Sequence, residues 1–100
     1  MQASRSGFVR FEQLPNVGKA TAGDFRQLGF ESPQQLIGQD PYALFDRLCE
    51  ITGHRQDPCV LDVFIATTRF MAGDAKAPWW AYTAERKATL AARVASHEAL

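Results

Sequence analysis

Residues 14–19, with the sequence Leu-Pro-Asn-Val-Gly-Lys, have the composition of a tight turn that could bind an anion. Asn16 and Gly18 are residue types that adopt a positive φ angle at little cost, so the chain can reverse direction here. Val17 lies between them and can point inward to hold the two flanking segments together. The pattern predicts a turn between two helices, and its role is either purely structural or that of an anion site.

The backbone after this turn provides the groups that a phosphate requires. Free N–H groups at the start of a helix converge on one point in solvent, and the helix dipole is positive at that end. Lys19 and Thr21 add side-chain contacts, whereas the first carboxylate, that of Asp24, comes a full turn later. The candidate phosphate contacts are Asn16, Val17, Gly18, Lys19, Ala20 and Thr21.

A second turn, residues 53–58, differs from the first in its charge. Asp57 is predicted to cap the helix that follows, which satisfies the free N–H groups and places a negative charge where a phosphate would sit. We therefore expect no second phosphate site. Arg55 is either a lateral contact to a backbone phosphate or a solvated surface residue, and we favour the second interpretation.

Cys49, His54, Asp57 and Cys59 are residue types that bind zinc or perform nucleophilic chemistry. Their spacing does not match the paired ligands of zinc sites, and Cys49 falls on an apolar helical face where a buried thiol is expected. A Cys59 thiolate activated by His54 and by a helix N-terminus is a further hypothesis, but no orienting group or oxyanion site accompanies it. We expect no metal ion, no cofactor and no catalytic centre.

An aromatic group in the last quarter of the chain has basic neighbours. Trp79, Trp80 and Tyr82 precede Arg86 and Lys87, a combination that stacks bases and contacts phosphates in proteins that bind single-stranded nucleic acid. In a chain this small, such a segment more often folds over the helices and completes the core, which is the interpretation that we favour. The candidate accessory contacts to a nucleic acid are Arg26, Arg55, Trp79, Trp80, Arg86 and Lys87.

Two short helices are predicted to position the turn at residues 14–19. Residues 8–14 carry apolar side chains at three-residue spacing, and Pro15 ends this first helix. Residues 19–28 form the second helix, and Gly29 follows it at the position of a left-handed cap. Small side chains on the apolar face of the second helix let the two helices approach closely.

Three further helix starts follow, each of them a capping residue before a proline in the first helical position. They are Ser32-Pro33, Asp40-Pro41 and Asp57-Pro58. The first opens a short connector. The helix after the third is apolar on most sides, so we expect it in the middle of the domain. A loop over residues 75–82 then leads to a last, alanine-rich helix, which Thr83 caps and which buries little area per residue.

No stretch alternates apolar and polar residues in the manner of a strand, so the predicted fold class is all-α. The order of the elements predicts two consecutive helical hairpins joined by a short connector helix, in the helix-hairpin-helix or SAM-like manner, plus a C-terminal helix. We expect residues 1–7 to be disordered and residues 8–100 to form a single domain.

The composition argues against several classes of protein. The chain has 11 basic and 11 acidic side chains, so it has no net charge that would support tight, non-specific DNA binding. No run of about 18 apolar residues could span a bilayer, and no export leader is recognisable, so we expect a cytoplasmic protein without membrane contact. Two cysteines are too few for a disulfide framework.

The first hairpin resembles the helix-hairpin-helix motif, which usually has glycine where this chain has Asn16. The chain also resembles a small bacterial pathogenicity-locus family of helix-hairpin-helix proteins, some labelled mitomycin resistance, and its first half is similar to the C-terminal domain of competence regulators. The resembling stretches are residues 14–18, 38–42, 48–49 with 52–53, 57–62 and 78–87. The resemblance implies a helical domain involved with nucleic acid.

Two functions are consistent with these observations. The first is sequence-independent nucleic-acid binding, in which the turn at residues 14–19 contacts DNA phosphates weakly and no reaction is catalysed. The alternative is a protein–protein interaction module, in which the weakly apolar C-terminal helix contacts a partner or a second copy of the chain.

Overall fold

Four α-helices and three short 3-10 helices make up the described part of the chain. The computed structural model describes residues 5–98, with side chains through residue 95. The α-helices are α1 (Lys19–Gln27), α2 (Pro41–Thr52), α3 (Pro58–Met71) and α4 (Thr83–Glu98), and the 3-10 helices are Phe11–Gln13, Pro33–Leu36 and Trp79–Tyr82. Residues 5–98 contain no strand, which confirms the all-α class. No helix in this range is long and apolar enough to cross a membrane.

Local capping signals determine where α2 and α3 begin and where α2 ends. The Asp40 carboxylate accepts a hydrogen bond from the Tyr42 N–H at 2.9 Å, and Asp57 accepts one from the Cys59 N–H at 2.9 Å. The prolines after both aspartates occupy the first turn, as predicted. Gly53 ends α2 in the left-handed conformation, at φ 76°. These boundaries therefore follow from residues that are close in sequence.

α3 lies in the middle of the molecule, which confirms its predicted position. Every residue from 61 to 68 is buried, and α2 and two of the 3-10 helices pack against α3. Three aromatic rings connect the 3-10 helix Phe11–Gln13 and α1 to α3: the Phe25 centroid is 5.3 Å from that of Phe11 and 5.0 Å from that of Phe64. Full burial of a side chain of this size contributes about 1.5 to 3 kcal/mol.

The first predicted helix, residues 8–14, is shorter than expected. Only Phe11–Gln13 is helical, in 3-10 geometry. The Gln13 side-chain oxygen accepts the N–H groups of Val9 and Arg10, both at 2.8 Å, in a capping box that places the helix start after the extended Arg10. The apolar residues at three-residue spacing nevertheless pack into or against the core.

The segment predicted to be disordered, residues 1–7, is described only in part. Residues 1–4 lie outside the described residues. Arg5 packs its guanidinium over the Phe70 ring, 3.7 Å from the centroid, and donates a hydrogen bond to the Asp74 carbonyl at 3.0 Å. These two contacts attach the start of the described chain to the end of α3.

A buried carboxylate on α3 fixes the start of α4. The Asp62 side chain is 0% exposed and accepts hydrogen bonds from the Thr83 hydroxyl and the Arg86 Nε, both at 2.8 Å. The bond to Asp62 raises the pKa of the Arg86 guanidinium. The prediction that Thr83 caps α4 is wrong, because Thr83 is the first helical residue and its hydroxyl donates to Asp62. A buried charge needs such partners, because an unpaired one costs several kcal/mol.

Asn16 connects the first turn to a segment far along the chain. Its backbone is left-handed, at φ 69°, as predicted. Its Nδ2 donates to the Ala77 carbonyl at 2.8 Å, and its Oδ1 accepts the Trp79 N–H at 3.2 Å. We refer to these two hydrogen bonds as the Asn16 clasp. The clasp holds the start of the 3-10 helix Trp79–Tyr82 beside the turn.

Replacement of Asp62 tests the buried ion pair. Asp62→Ala leaves the largely buried Arg86 without its partner, and we expect the free energy of unfolding to fall by about 3 to 5 kcal/mol in urea denaturation. The control is Glu85→Ala, which removes a more exposed ion pair to Arg69 and should cost about 1 kcal/mol or less. A loss in Asp62→Ala no larger than in the control would contradict the role assigned to the buried carboxylate.

Two substitutions of Asn16 separate its backbone conformation from its hydrogen bonds. Asn16→Gly keeps the positive φ angle but removes the clasp, and it should lower the free energy of unfolding by about 1 to 3 kcal/mol. Asn16→Ala adds the cost of a left-handed alanine, about 1 to 2 kcal/mol more. Urea denaturation measures both values. An Asn16→Gly protein as stable as the wild type would show that the clasp contributes no stability.

Candidate nucleic-acid interface

α1 begins at an exposed glycine and has no side-chain cap. Gly18 is the N-cap residue, no described side chain caps the helix, and the first turn contains no acidic residue. The Ala22 N–H donates to the Gly18 carbonyl at 3.0 Å, so the N–H groups of Lys19, Ala20 and Thr21 precede the first α-helical bond and have no acceptor within the helix. The first two of these residues are exposed. Their N–H groups are therefore accessible to an anion from solvent.

The turn itself differs from the prediction at one residue. Asn16 adopts the positive φ angle, but the backbone of Gly18 is extended, at φ −96° and ψ −170°. A Cβ atom on Gly18 would meet nothing within 4 Å, so this position accepts a larger residue without strain. Val17 is buried and packs inward, as predicted. The reversal of the chain thus uses one left-handed residue rather than two.

The other α-helices of the described chain begin beside a negative charge. The hydrogen bond from the Cys59 N–H holds the pKa of Asp57 below its usual value, so the carboxylate at the start of α3 is ionised at neutral pH. Asp40 occupies the same position at α2, and Glu85 lies in the first turn of α4. A carboxylate at a helix start competes with a phosphate. Within residues 5–98, α1 alone combines free N–H groups with the absence of a carboxylate.

The predicted accessory cations divide into paired and unpaired side chains. Arg26 binds both carboxylate oxygens of Glu12, at 3.0 and 3.2 Å, and this contact lowers the pKa of Glu12. Arg86 is bound to the buried Asp62. Of the predicted phosphate and accessory contacts, the exposed cations that form no ion pair within the described chain are Lys19, Arg55 and Lys87.

The aromatic segment folds against the helices, as favoured from the sequence, but the expected burial fails at Trp80. The 3-10 helix Trp79–Tyr82 packs against α3, and Tyr82 contacts the core, but Trp80 is 63% exposed. The Trp79 and Trp80 rings meet edge to face, with centroids 5.5 Å apart. Sequence reasoning missed that the Asn16 clasp brings this segment to the turn. The local signal in the sequence that could have indicated this contact is asparagine, rather than glycine, at the left-handed position.

The cysteines and His54 are engaged in local contacts. The hydrogen bond to the Asp57 carboxylate raises the pKa of the Cys59 thiol, and burial raises it further, which is opposite to the activation considered for a helix N-terminus. Cys49 Sγ accepts the Gln56 N–H at 3.4 Å, and His54 Nε2 lies 3.1 Å from Gln56 Nε2. Both cysteines are free thiols. No group of three His, Cys, Asp or Glu residues in positions 5–98 could hold a metal ion.

A groove of about 820 Å³ lies between α2 and α4, and we refer to it as the α2–α4 groove. The Asp46–Arg93 ion pair, at 2.8 Å, connects the two helices beside it. Every residue of α4 from 91 to 95 is exposed. Arg55 also borders the groove. Its apolar lining consists of Phe45, Cys49, Leu90 and Val94.

Comparisons with known proteins agree with the family resemblance. Residues 4–88 match the Cdd1 family, described as a pathogenicity locus. The chain is also similar to the mitomycin resistance protein McrB of Streptomyces lavendulae, with 40% identity over 78 residues, which cover 78% of this chain and 74% of that protein. No solved structure gives a significant match. The family match spans the turn, the Asn16 clasp and the Asp62–Arg86 ion pair, and the chain therefore belongs to the Cdd1 pathogenicity locus family.

Proposed function

We propose that this protein is a helix-hairpin-helix module that binds nucleic acid through the turn at residues 14–19. The observation that carries the proposal is the start of α1, which presents free N–H groups and no carboxylate, whereas Asp40 and Asp57 cap α2 and α3. A phosphate at the start of α1 would accept hydrogen bonds from the backbone and gain from the helix dipole.

The proposed phosphate contacts combine the backbone with two side chains. The N–H groups of Gly18, Lys19 and Ala20 donate to the phosphate, the Lys19 ammonium neutralises its charge, and the Thr21 hydroxyl is a further donor. Asp24, the next carboxylate along α1, lies a full turn away and is partly buried. Because the phosphate is the same in every sequence, these contacts provide affinity without sequence preference.

The proposed binding is weak. The formal net charge is zero, so no long-range field attracts a polyanion. A single turn neutralises few phosphates, and the logarithm of the binding constant should fall with the logarithm of salt concentration with a slope of only about −0.9 for each of them. We place the protein in the cytoplasm, the compartment in which such a module meets nucleic acid.

Two substitutions in the turn test the phosphate site. Lys19→Glu reverses an unpaired charge, and Gly18→Val places a branched side chain beside the free N–H groups. Each should weaken binding to a labelled DNA duplex about tenfold in fluorescence anisotropy at low salt, because charge-assisted hydrogen bonds are lost. The Gly18 backbone is extended and open, so the urea midpoint of Gly18→Val should stay close to the wild-type value.

Arg47→Glu is the matched control, because Arg47 is an exposed cation on α2 and belongs to no proposed site. It changes the net charge by the same amount as Lys19→Glu. Titrated beside Lys19→Glu at one moderate salt concentration, where the Debye length is about 10 Å, it should weaken binding by less than about twofold. If the wild type and both turn variants bind DNA with equal affinity, the turn is not the binding site.

A protein–protein interaction module is the second candidate, and the α2–α4 groove favours it. Val94 is 58% exposed and borders the groove beside Phe45 and Leu90. Exposed apolar surface of this kind is typical of contact sites for other proteins. In this candidate function, the C-terminal helix contacts a partner or a second copy of the chain, without catalytic activity.

Val94→Glu tests the second candidate and leaves the start of α4 intact. Deletion of α4 is a poorer test, because it also removes Arg86 and leaves the buried Asp62 unpaired. If the groove mediates self-association, the wild type should dimerise in sedimentation equilibrium and Val94→Glu should stay monomeric. Ala84→Glu, at the exposed start of α4, should behave as the wild type. A wild type that stays monomeric at high micromolar concentration would exclude self-association through the groove.

A further inference from the structure

Trp80 is a large aromatic side chain that the fold leaves in solvent. It is 63% exposed, although burial of an indole is among the strongest contributions available to a small core. The Trp79 ring meets it edge to face, and the Asn16 clasp holds the backbone on its N-terminal side, at Ala77 and Trp79. The 3-10 helix that carries Trp80 is therefore fixed beside the turn at residues 14–19.

Two cations lie close to the clasp along the chain. Lys76 directly precedes Ala77, and Lys19 follows Asn16 by three residues. Both lysines are exposed, and neither forms an ion pair in the part of the chain that the structure describes. The start of α1 adds the positive end of a helix dipole. A ligand that complements an exposed indole, two cations and a helix start has a flat aromatic face and carries negative charge.

We infer that Trp80 and the turn at residues 14–19 form one composite site for single-stranded nucleic acid. The Trp80 ring stacks on an unpaired base, and the turn holds a backbone phosphate of the same strand. This inference rests on the proposed function and specifies its ligand. A base must have a free face to stack on an indole, and the bases in the interior of a duplex have both faces covered by their neighbours. Stacking is also independent of sequence, because every base has such a face.

Oligonucleotide binding by Trp80 variants tests the composite site. The probes are labelled oligothymidine and oligouridine of about ten nucleotides and a long DNA duplex, in which few bases lie at the ends, each titrated by fluorescence anisotropy. The wild type should bind a single strand more tightly than the duplex. Trp80→Ala should weaken single-strand binding about tenfold and leave duplex binding unchanged, whereas Trp80→Phe should retain most of the affinity. Ile37→Ala, at another exposed apolar residue, should change neither.

Lys19→Glu distinguishes this inference from the proposed function, because it should weaken binding to the strands and the duplex alike. If Lys19→Glu does so but the wild type binds both probes equally, the phosphate site stands and the composite site is wrong. The composite site is also wrong if Trp80→Ala, at a wild-type urea midpoint, binds single strands as the wild type does. If the wild type binds no probe, the inference and the proposed function are both wrong. Tighter binding of oligothymidine or of oligouridine would support the site and identify DNA or RNA as the source of the strand.

Discussion

The Asn16 clasp joins parts of the chain that are 61 and 63 residues apart, and the arrangement of the proposed site depends on it. Glycine at this position would adopt the φ angle of 69° equally well, but it could neither donate to Ala77 nor accept from Trp79. Asparagine meets the backbone requirement and forms the tertiary contact. The same residue therefore shapes the turn and holds the segment with the exposed Trp80 beside it.

The buried Asp62 attaches the start of α4 to α3, as Asn16 attaches the aromatic segment to the turn. Thr83 and Arg86 bind it from the first turn of that helix, whereas residues 91–95 further along are exposed. Detaching this end of α4 would leave a charge of the ion pair buried without its partner. The free energy of that unpaired charge therefore opposes detachment. The exposed end contributes little burial and borders the α2–α4 groove. One helix thus combines an anchored first turn with a more exposed stretch, which the Asp46–Arg93 ion pair connects to α2.

The sequence was sufficient wherever neighbouring residues decide the structure. Aspartate–proline pairs and glycines located α2 and α3, and the free start of α1 could be predicted because it depends on residues 16–21 alone. Predictions failed where a contact with a distant part of the chain determines the position of a side chain. Thr83 donates to Asp62 instead of capping α4, and Trp80 stays exposed. The raised pKa of Cys59 was missed because the aspartate that caps α3 also bonds the thiol.

A phosphate at the start of α1 must change the environment of the N–H groups that bind it. Two-dimensional amide NMR of the full chain, titrated with a short DNA duplex, observes each backbone N–H separately. The largest shift changes are predicted at Gly18, Lys19 and Ala20, with little change at Tyr42 and Cys59, whose N–H groups the capping aspartates already bind. Unchanged shifts at the turn in saturating DNA, or the largest changes at the α2–α4 groove, would contradict phosphate binding by α1.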